Sequence, residues 1–266
     1  MDLGLSGAVV IVAGGTSGIG RAAADCCAAD GARVAVLARS RDALDVTAEE
    51  LAALGSPDTI GVEADLRDAE SVDAAFDKIG ARWGRVNALV NAVGPTGVMG
   101  NFENYTDEDW HNAVDGVALS AVRTIRAALP YLRAAPWARI VNVSAISTKR
   151  QSPPLIAYTA AKAALTSLTK NLSKSLAVDG ILVNAVSPGA VASDSFKAIL
   201  ARIPDVDEND LHDVMRYIVA QHGHPAFLDR AAAPAEIGPV IAFAASALNT
   251  YMTGANINVD GGTDFS

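Results

Sequence analysis

Residues 9–20 read VVIVAGGTSGIG, a continuous aliphatic run followed at once by a glycine-rich turn. An uninterrupted apolar run is typical of a strand that is covered on both faces, as in parallel sheets. Glycine lets the chain turn sharply and approach a pyrophosphate closely, and the first amides of a following helix attract its negative charge. The GxxxGxG spacing of Gly14, Gly18 and Gly20 therefore predicts a phosphate-binding loop between a strand and a helix. An ordinary strand-to-helix turn is the alternative.

Similar aliphatic runs recur along the rest of the chain and alternate with amphipathic segments. We predict strands at 8–13, 33–38, 59–64, 88–92, 139–144, 181–186 and 256–259. We predict helices at 18–29, 41–54, 69–82, 107–132 and 157–177. Such alternation implies right-handed βαβ units, with helices on both faces of one sheet. No linker rich in proline or serine interrupts the pattern, so we expect a single α/β domain over residues 1–266.

The composition excludes several classes of protein. Of the 266 residues, 50% are hydrophobic and 19% are charged, which argues against a disordered chain. The net charge of −9 argues against binding to a nucleic-acid backbone. No apolar run has the length of a membrane span, and the N-terminus lacks the basic region of a signal peptide. The adjacent thiols of Cys26 and Cys27 have no zinc-ligand spacing, so we expect a cytoplasmic protein without a metal site or a membrane partner.

The end of the second predicted strand indicates which nucleotide is bound. Residues 36–41 read VLARSR, and no Asp or Glu is present to accept hydrogen bonds from ribose hydroxyls. The Arg39 guanidinium is instead a natural partner for the 2′-phosphate of NADP. The alternative is that Arg39 and Arg41 only solvate the start of the next helix. We expect NADP(H) to be preferred, with NAD(H) possible.

Six motifs together resemble the short-chain dehydrogenase/reductase family over essentially the whole chain. They are the GxxxGxG loop, Asp65, the NAVG of residues 91–94, the YTAAK of residues 158–162, the SPG of residues 187–189, and Thr253-Gly254 with the DGG of residues 260–262. The resemblance implies a single doubly wound Rossmann-type domain with a seven-stranded parallel sheet. It also implies binding of NAD(P)(H) and assembly into a homotetramer or homodimer.

The family's cofactor site carries over onto the loop, the strand ends and the segment after SPG. The predicted cofactor site comprises Gly14, Thr16, Ser17, Gly18, Ile19 and Gly20 in the loop and Arg39 after the second strand. The resemblance adds Asp65 and Leu66 beside the adenine, Asn91 and Gly94 along the ribose, and Pro188, Gly189, Val191 and Ser193 near the nicotinamide. Ser193 stands where the family has a threonine.

Tyr158 and Lys162 are four residues apart, which places them on one face of the predicted helix. A free phenol has a pKa near 10, and a nearby ammonium group favours the phenolate. We therefore expect Lys162 to lower the pKa of Tyr158. Tyr158 could then exchange a proton with a carbonyl or an alcohol while the cofactor transfers hydride. The resemblance also assigns Lys162 to the nicotinamide ribose.

Two positions depart from the family's pattern. The catalytic serine expected thirteen residues before Tyr158 is replaced by Ala145. The asparagine that the family places thirteen residues before a Leu-Pro pair, where it helps hold a water near the lysine, is replaced by Val117. Ser144 and Ser147 flank the vacant serine position. We interpret Ser147 as the substitute, because alternate residues of an extended chain share a side, and we expect Ser144 to point away.

The resemblance implies a substrate lid around residues 193–233, and we expect His222 and His224 to belong to this lid rather than to a metal site. The motifs together favour an NADP(H)-dependent oxidoreductase that interconverts a ketone and a secondary alcohol. The alternative is an NADP(H)-binding protein with little or no turnover, which the replacements at Ala145 and Val117 favour. A methyltransferase would call for an acidic residue after the second strand and would leave Tyr158 and Lys162 unexplained.

Overall fold

The described part of the chain, residues 2–94 and 97–265 of a computed structural model, forms one seven-stranded parallel sheet. The strands are β1 (Val9–Ala13), β2 (Arg33–Ala38), β3 (Thr59–Glu63), β4 (Ala88–Asn91), β5 (Ala138–Val143), β6 (Ile181–Pro188) and β7 (Asn256–Val259). Their order is β3-β2-β1-β4-β5-β6-β7, so the winding direction changes between β1 and β4. The carboxyl ends of the strands at such a switch point form the crevice where doubly wound folds bind ligands.

Helices cover both faces of the sheet. They are α1 (Gly18–Ala29), α2 (Arg41–Ala53), α3 (Ala69–Trp83), α4 (Asp107–Val114), α5 (Ser120–Arg133), α6 (Ile156–Ser175), α7 (Asp194–Leu200), α8 (Leu211–His222) and α9 (Pro234–Ala244). The predicted doubly wound α/β fold is confirmed. All seven strands lie within two residues of their predicted bounds.

The strand β1 shows why continuous apolar runs predicted buried strands. Val9 and Ile11 pack into a core with α3, α5 and α6, whereas Val10 and Val12 pack into a second core with α1, α2 and α9. Successive strand residues point to opposite faces, so a sheet covered on both sides needs an apolar residue at every position.

The segment predicted as one helix over 107–132 contains a break in its hydrogen-bond pattern. A π-helical turn, Asp115–Leu119, separates α4 from α5, and Val117 lies at its centre with 1% exposure. Single π turns inside helices often occur at functional sites, because they displace one residue from the regular helical face.

The helices α7, α8 and α9 were not predicted. α9 begins at Pro234 and contains Gly238 and Pro239, residues that ordinarily interrupt a helical pattern. Its start is held because the Glu236 carboxylate accepts hydrogen bonds from the Ala233 amide and the Arg230 guanidinium, which together hold the pKa of Glu236 at about 2.

The predicted lid region contains α7 and α8, which pack on a small apolar core of their own. The two ends of this region are tied together, because the amide of Ala192 donates to Ala232 O and the amide of Ala232 donates to Ala190 O, each at 2.9 Å. Across the described residues, no helix combines the length and apolar character that a membrane crossing requires.

Candidate active site

Two neighbouring cavities lie at the carboxyl ends of the strands. The first, here called the arginine cavity, has a volume of about 420 Å³ and is lined by Gly14, Thr16, Leu37, Ala38, Arg39, Ser40, Ala64, Asp65, Leu66, Arg67, Val93, Gly116 and Ser120. The second, called the tyrosine cavity, has a volume of about 510 Å³ and contains Tyr158, Lys162 and Ser147 in its wall. Val93 lines both, so the two cavities adjoin and one elongated ligand can span them.

The glycine-rich loop has the shape that a phosphate cradle requires. Gly14 has a φ of +81°, a left-handed conformation that side chains disfavour. A Cβ at Gly20 would overlap the carbonyl oxygen of Gly14, so only glycine fits there. Helix α1 begins directly at Gly18 and directs its first amides toward the loop. These residues fit the pyrophosphate of a dinucleotide.

The other predicted loop residues have different positions. Thr16 lines the arginine cavity, and Ile19 lines the tyrosine cavity. Ser17 is exposed and lines neither; it precedes α1 as the N-cap residue, and its side chain makes no capping hydrogen bond. Asp65 and Leu66 both line the arginine cavity, and the Asp65 carboxylate accepts a hydrogen bond from the Arg67 amide at 2.9 Å.

Arg39 lies at the end of β2, on the wall of the arginine cavity. It makes no hydrogen bond or ion pair with the rest of the described chain, whereas Arg41 is paired with Asp45 at 3.2 Å. Arg67 is a second guanidinium on the same wall, and it bonds to Asn112 at 3.2 Å. No sequence motif marks Arg67, because it reaches the cavity from the segment after β3.

The side chain of Asn91, which we expect beside the ribose, lines neither cavity. It is buried, its amide nitrogen donates to Asn142 Oδ1 at 2.9 Å, and its oxygen accepts from the Thr124 hydroxyl at 2.7 Å. These bonds join β4 to β5 and α5, because a buried amide must satisfy its polar atoms. Asn91 therefore holds the strand ends in place, while Gly94 lines the tyrosine cavity.

Tyr158 and Lys162 both line the tyrosine cavity from the first turns of α6. Lys162 Nζ donates to Val143 O at 2.7 Å and to Val93 O at 3.3 Å, and it lies 5.6 Å from the centre of the Tyr158 ring. Burial lowers the pKa of Lys162 to about 8.

The expected lowering of the Tyr158 pKa is wrong for this structure. Burial raises the pKa of Tyr158 to about 12, because removal of the phenol from water disfavours its anionic form. The Lys162 ammonium is directed to two carbonyl oxygens and does not reverse this effect. Tyr158 is therefore a neutral phenol at physiological pH, a form suited to donating a proton.

Ser147 lies on the wall of the tyrosine cavity, but the reason given for its placement is wrong. It belongs to a 3₁₀ turn, Ile146–Thr148, rather than to an extended chain. Ser147 is 7% exposed, and its hydroxyl has no hydrogen-bond partner in the described part of the chain. A buried hydroxyl without a partner carries a free-energy penalty that a ligand oxygen can remove.

We expected Ser144 to point away from the tyrosine cavity. In the structure it lines this cavity together with Ala145. Its hydroxyl lies 2.8 Å from the Thr166 hydroxyl and also donates to Lys162 O at 3.4 Å. The Ser144 hydroxyl is thus already engaged, whereas that of Ser147 is free.

Val117 lies beside the lysine, where the family has its asparagine. A Cβ at Gly94 would lie 2.7 Å from Lys162 Nζ and 3.3 Å from Val117 Cγ2, so these side chains meet at Gly94. The valine offers no polar atom there. Its position is that of the family residue, but its side chain cannot hold a water by hydrogen bonding.

The end of β6 and the segment that follows it form another part of the tyrosine cavity. Pro188, Gly189, Val191 and Ser193 all line it, as the resemblance implies. A Cβ at Gly189 would lie 2.8 Å from the Asp260 Cα, so the close approach of the segment that follows β7 requires glycine.

The lid adds polar side chains that the motifs did not identify as part of the site. His222 is the last residue of α8 rather than part of a loop, and it lines the tyrosine cavity together with His224. Ser152 and Arg150 line the same wall, and no motif marks them. In residues 2–94 and 97–265, no three His, Cys, Asp or Glu side chains form a group that could hold a metal ion.

Comparison with known proteins adds to this geometry. A family model described as "Enoyl-(Acyl carrier protein) reductase" matches residues 13–264. The chain is similar to "(5R,7aS)-5-hydroxy-7a-methyl-1-oxo-2,3,5,6,7,7a-hexahydro-1H-indene-carboxyl-CoA reductase" of Mycobacterium tuberculosis, with 35% identity over 252 residues, or 94% of this chain and 90% of the relative. It is also similar to acetoacetyl-CoA reductase of Cupriavidus necator, with 31% identity over 255 residues, or 96% of this chain and 97% of the relative.

A solved structure shows the same fold over the full length. L-sorbose reductase from Gluconobacter frateurii, in a complex with NADPH and L-sorbose, superimposes with a TM-score of 0.91 and 28% identity, and the match covers 100% of both chains. The fold and length of this chain are thus similar to those of this reductase.

Proposed function

Because the chain belongs to the short-chain dehydrogenase/reductase family, whose members here are oxidoreductases acting on CH–OH and C=O groups, we propose that it reduces a ketone to a secondary alcohol with NADPH. The observation that carries this proposal is the continuity of the two cavities at Val93. The free Arg39 lies in one of them, and the neutral Tyr158 lies in the other.

The residues assigned to the cofactor form a continuous path. The loop from Gly14 to Gly20 would hold the pyrophosphate, Arg39 the 2′-phosphate, and Asp65 with Leu66 the adenine. Gly94 and the segment from Pro188 to Ser193 would line the nicotinamide end, close to Tyr158. NADPH supplies a hydride to the carbonyl carbon when it is bound.

The chain itself supplies the proton and the hydrogen bonds. The Tyr158 hydroxyl donates its proton to the substrate oxygen, and its neutral state at physiological pH makes it ready to do so. The unpartnered Ser147 hydroxyl donates a hydrogen bond to the same oxygen and stabilises its developing negative charge. Lys162, whose Nζ lies 5.6 Å from the Tyr158 ring, favours the phenolate that remains after the transfer.

We also propose that the protein assembles into a homodimer or homotetramer in the cytoplasm. Phe243, Leu248 and Tyr251 expose 40%, 47% and 97% of their surface at the end of α9 and before β7. Such side chains are more stable when an equivalent surface covers them. Cys26 and Cys27 are both free thiols, as in proteins of a reducing compartment.

NADPH is expected to bind about ten- to a hundredfold more tightly than NADH. A charged hydrogen bond between Arg39 and the 2′-phosphate is worth about 1.5–3 kcal/mol, which corresponds to this ratio. Arg39→Ala should remove most of the preference by weakening NADPH binding alone. Calorimetric titration with both cofactors measures this. Arg41→Ala is the matched control, because Arg41 is paired with Asp45 and lines neither cavity. Equal affinities in the wild type, or a preference for NADH, would contradict the assignment.

The two directions of the reaction are expected to respond differently to pH. Because burial raises the pKa of Tyr158 to about 12, the phenol stays protonated between about pH 6 and 9, and kcat for reduction should not fall from loss of this proton. Alcohol oxidation needs the phenolate as base, so its kcat should rise with pH throughout the same range. Initial rates at saturating substrate and cofactor test both directions. A reductive kcat that falls near pH 7 while the oxidative kcat levels off would disprove the raised pKa.

A further inference from the structure

The tyrosine cavity has a charge that differs from that of the whole chain. The chain carries 30 acidic and 21 basic residues, yet the described residues that line this cavity include no Asp or Glu. They include the cationic side chains of Arg150 and Lys162 and the imidazoles of His222 and His224. Lys162 is engaged with two carbonyl oxygens, which leaves Arg150 as the cationic group available to a ligand.

Arg150 holds a polar atom without a partner. Its backbone amide donates to Ile146 O at 3.0 Å, but its side-chain Nε is buried and has no hydrogen-bond partner in the part of the chain that is described. The Asp264 carboxylate interacts electrostatically with Arg150, but its hydrogen bonds come from Lys149 at 3.2 Å and Asn258 at 2.8 Å. No nitrogen of the Arg150 side chain has a hydrogen-bond partner among the described residues, and the side chain lines the cavity, so the guanidinium is available to bind a ligand oxygen.

Two histidines and a serine extend this wall. His222 Nδ1 lies 2.7 Å from the hydroxyl of the buried Ser152, and His224 Nε2 lies 2.8 Å from Gln151 O. Burial and the neighbouring His224 lower the pKa of His222, so its ring is neutral at physiological pH. The direction of the hydrogen bond between Ser152 and His222 Nδ1 depends on the ring tautomer. In the tautomer whose Nδ1 accepts from Ser152, the Nε2–H group is a donor.

We propose that the substrate is a ketone that carries an anionic oxygen group, a carboxylate or a phosphate, and that Arg150 binds this group with His222 as a second donor. A guanidinium binds such groups through charge-assisted hydrogen bonds, and no Asp or Glu is among the described residues that line the cavity. That the substrate is a ketone rests on the proposed function, whereas the anion subsite rests on Arg150 and the other residues that line the cavity.

The test compares ketones that differ only in charge. The probes are acetoacetate, levulinate and longer methyl-ketone acids, each beside its methyl ester, and acetonylphosphonate beside its dimethyl ester. Calorimetric titration of the full chain saturated with NADP⁺ measures binding without turnover, and initial rates with NADPH measure reduction. At least one anion should bind at least about tenfold more tightly than its ester, as expected for a charged hydrogen bond. Its kcat/KM should exceed that of the ester by a similar factor.

The variants identify the residue responsible. Arg150→Gln should remove at least about tenfold of the preference, because the anion loses more affinity than the ester. Arg150→Lys should keep part of it, since the charge remains without the planar donor geometry. Arg126→Gln is the matched control, because Arg126 is exposed on α5 and lines neither cavity. Circular dichroism verifies that each variant is folded. If a variant does not fold, the comparison of acid and ester in the wild type still tests whether the site prefers an anion.

The binding and rate measurements can support or overturn the anion subsite. Equal binding of every anion and its ester, or an unchanged preference in folded Arg150→Gln, overturns the anion subsite. A preference confined to the phosphonate supports the subsite and identifies phosphate as the anion. If the anions bind preferentially while NADPH reduces none of the ketones, the subsite is supported and the proposed reaction is not.

Discussion

Replacing Tyr158 with Phe is expected to lower kcat for ketone reduction by about 10²–10⁴-fold, the usual contribution of a general acid. The substitution removes only the hydroxyl, while the ring can keep its place on the wall of the tyrosine cavity. Cofactor affinity and thermal stability should therefore stay close to those of the wild type. Single-turnover rates with NADPH and a verified ketone measure the chemical step, and calorimetry measures cofactor binding.

A contrasting variant separates chemistry from binding. Lys162→Ala should reduce both the rate and the NADPH affinity, because Lys162 Nζ lies among Val93, Val143 and Tyr158 at the assigned nicotinamide end of the site. If Tyr158→Phe keeps full activity on a verified substrate, another group supplies the proton and the proposed mechanism is wrong.

Ser147→Ala is expected to lower the single-turnover rate by about 10²-fold, within the range found when one hydrogen-bond donor to a developing oxyanion is removed. The Ser147 hydroxyl is buried on the cavity wall without a partner, so it is free to bind the reacting oxygen. Cofactor affinity should not change. Ser144→Ala should cause a smaller loss, because that hydroxyl already bonds to Thr166 and to the carbonyl of Lys162.

The converse substitution decides whether the site is impaired. Ala145→Ser restores the family's hydroxyl, and it should change the rate little if Ser147 already performs that role. An unchanged rate in Ser147→Ala, together with a large gain in Ala145→Ser, would reject Ser147 and indicate a slow wild-type enzyme. Val117→Asn should add to such a gain only if a water can then bind between its side chain and Lys162.

The sheet and most of its helices could be predicted from the sequence because their signals are local. The residues of β1 alternate between two cores, so the four residues VVIV are enough to predict a strand that is buried on both faces of the sheet. The strand order came only from the structure, since a single apolar run does not indicate which strand lies beside it. α9 was missed because Pro234, Gly238 and Pro239 are local signals for a break, and packing against α1 outweighs them.

The candidate site divides in the same way. The glycine loop and the Tyr158–Lys162 pair were recognisable because their chemistry depends on short spacings along one chain segment. Arg67, Arg150 and His222 were not recognised as site residues, because they reach the cavities from separate segments and share no motif. Asn91 belongs to a familiar motif, yet its side chain bonds to Asn142 and Thr124, partners that are remote in sequence.

By itself, the sequence determined the fold class, and it pointed to residues 14–20 as the proposed phosphate-binding loop and to Tyr158 as the proposed proton donor. Only the tertiary structure decided the ionisation of that donor and the free hydroxyl beside it. A four-residue spacing suggested that Lys162 would lower the pKa of Tyr158, but burial raises that pKa to about 12. The physical reason is that desolvation and hydrogen-bond satisfaction depend on every segment packed around a group, whereas a motif records only its neighbours along the chain.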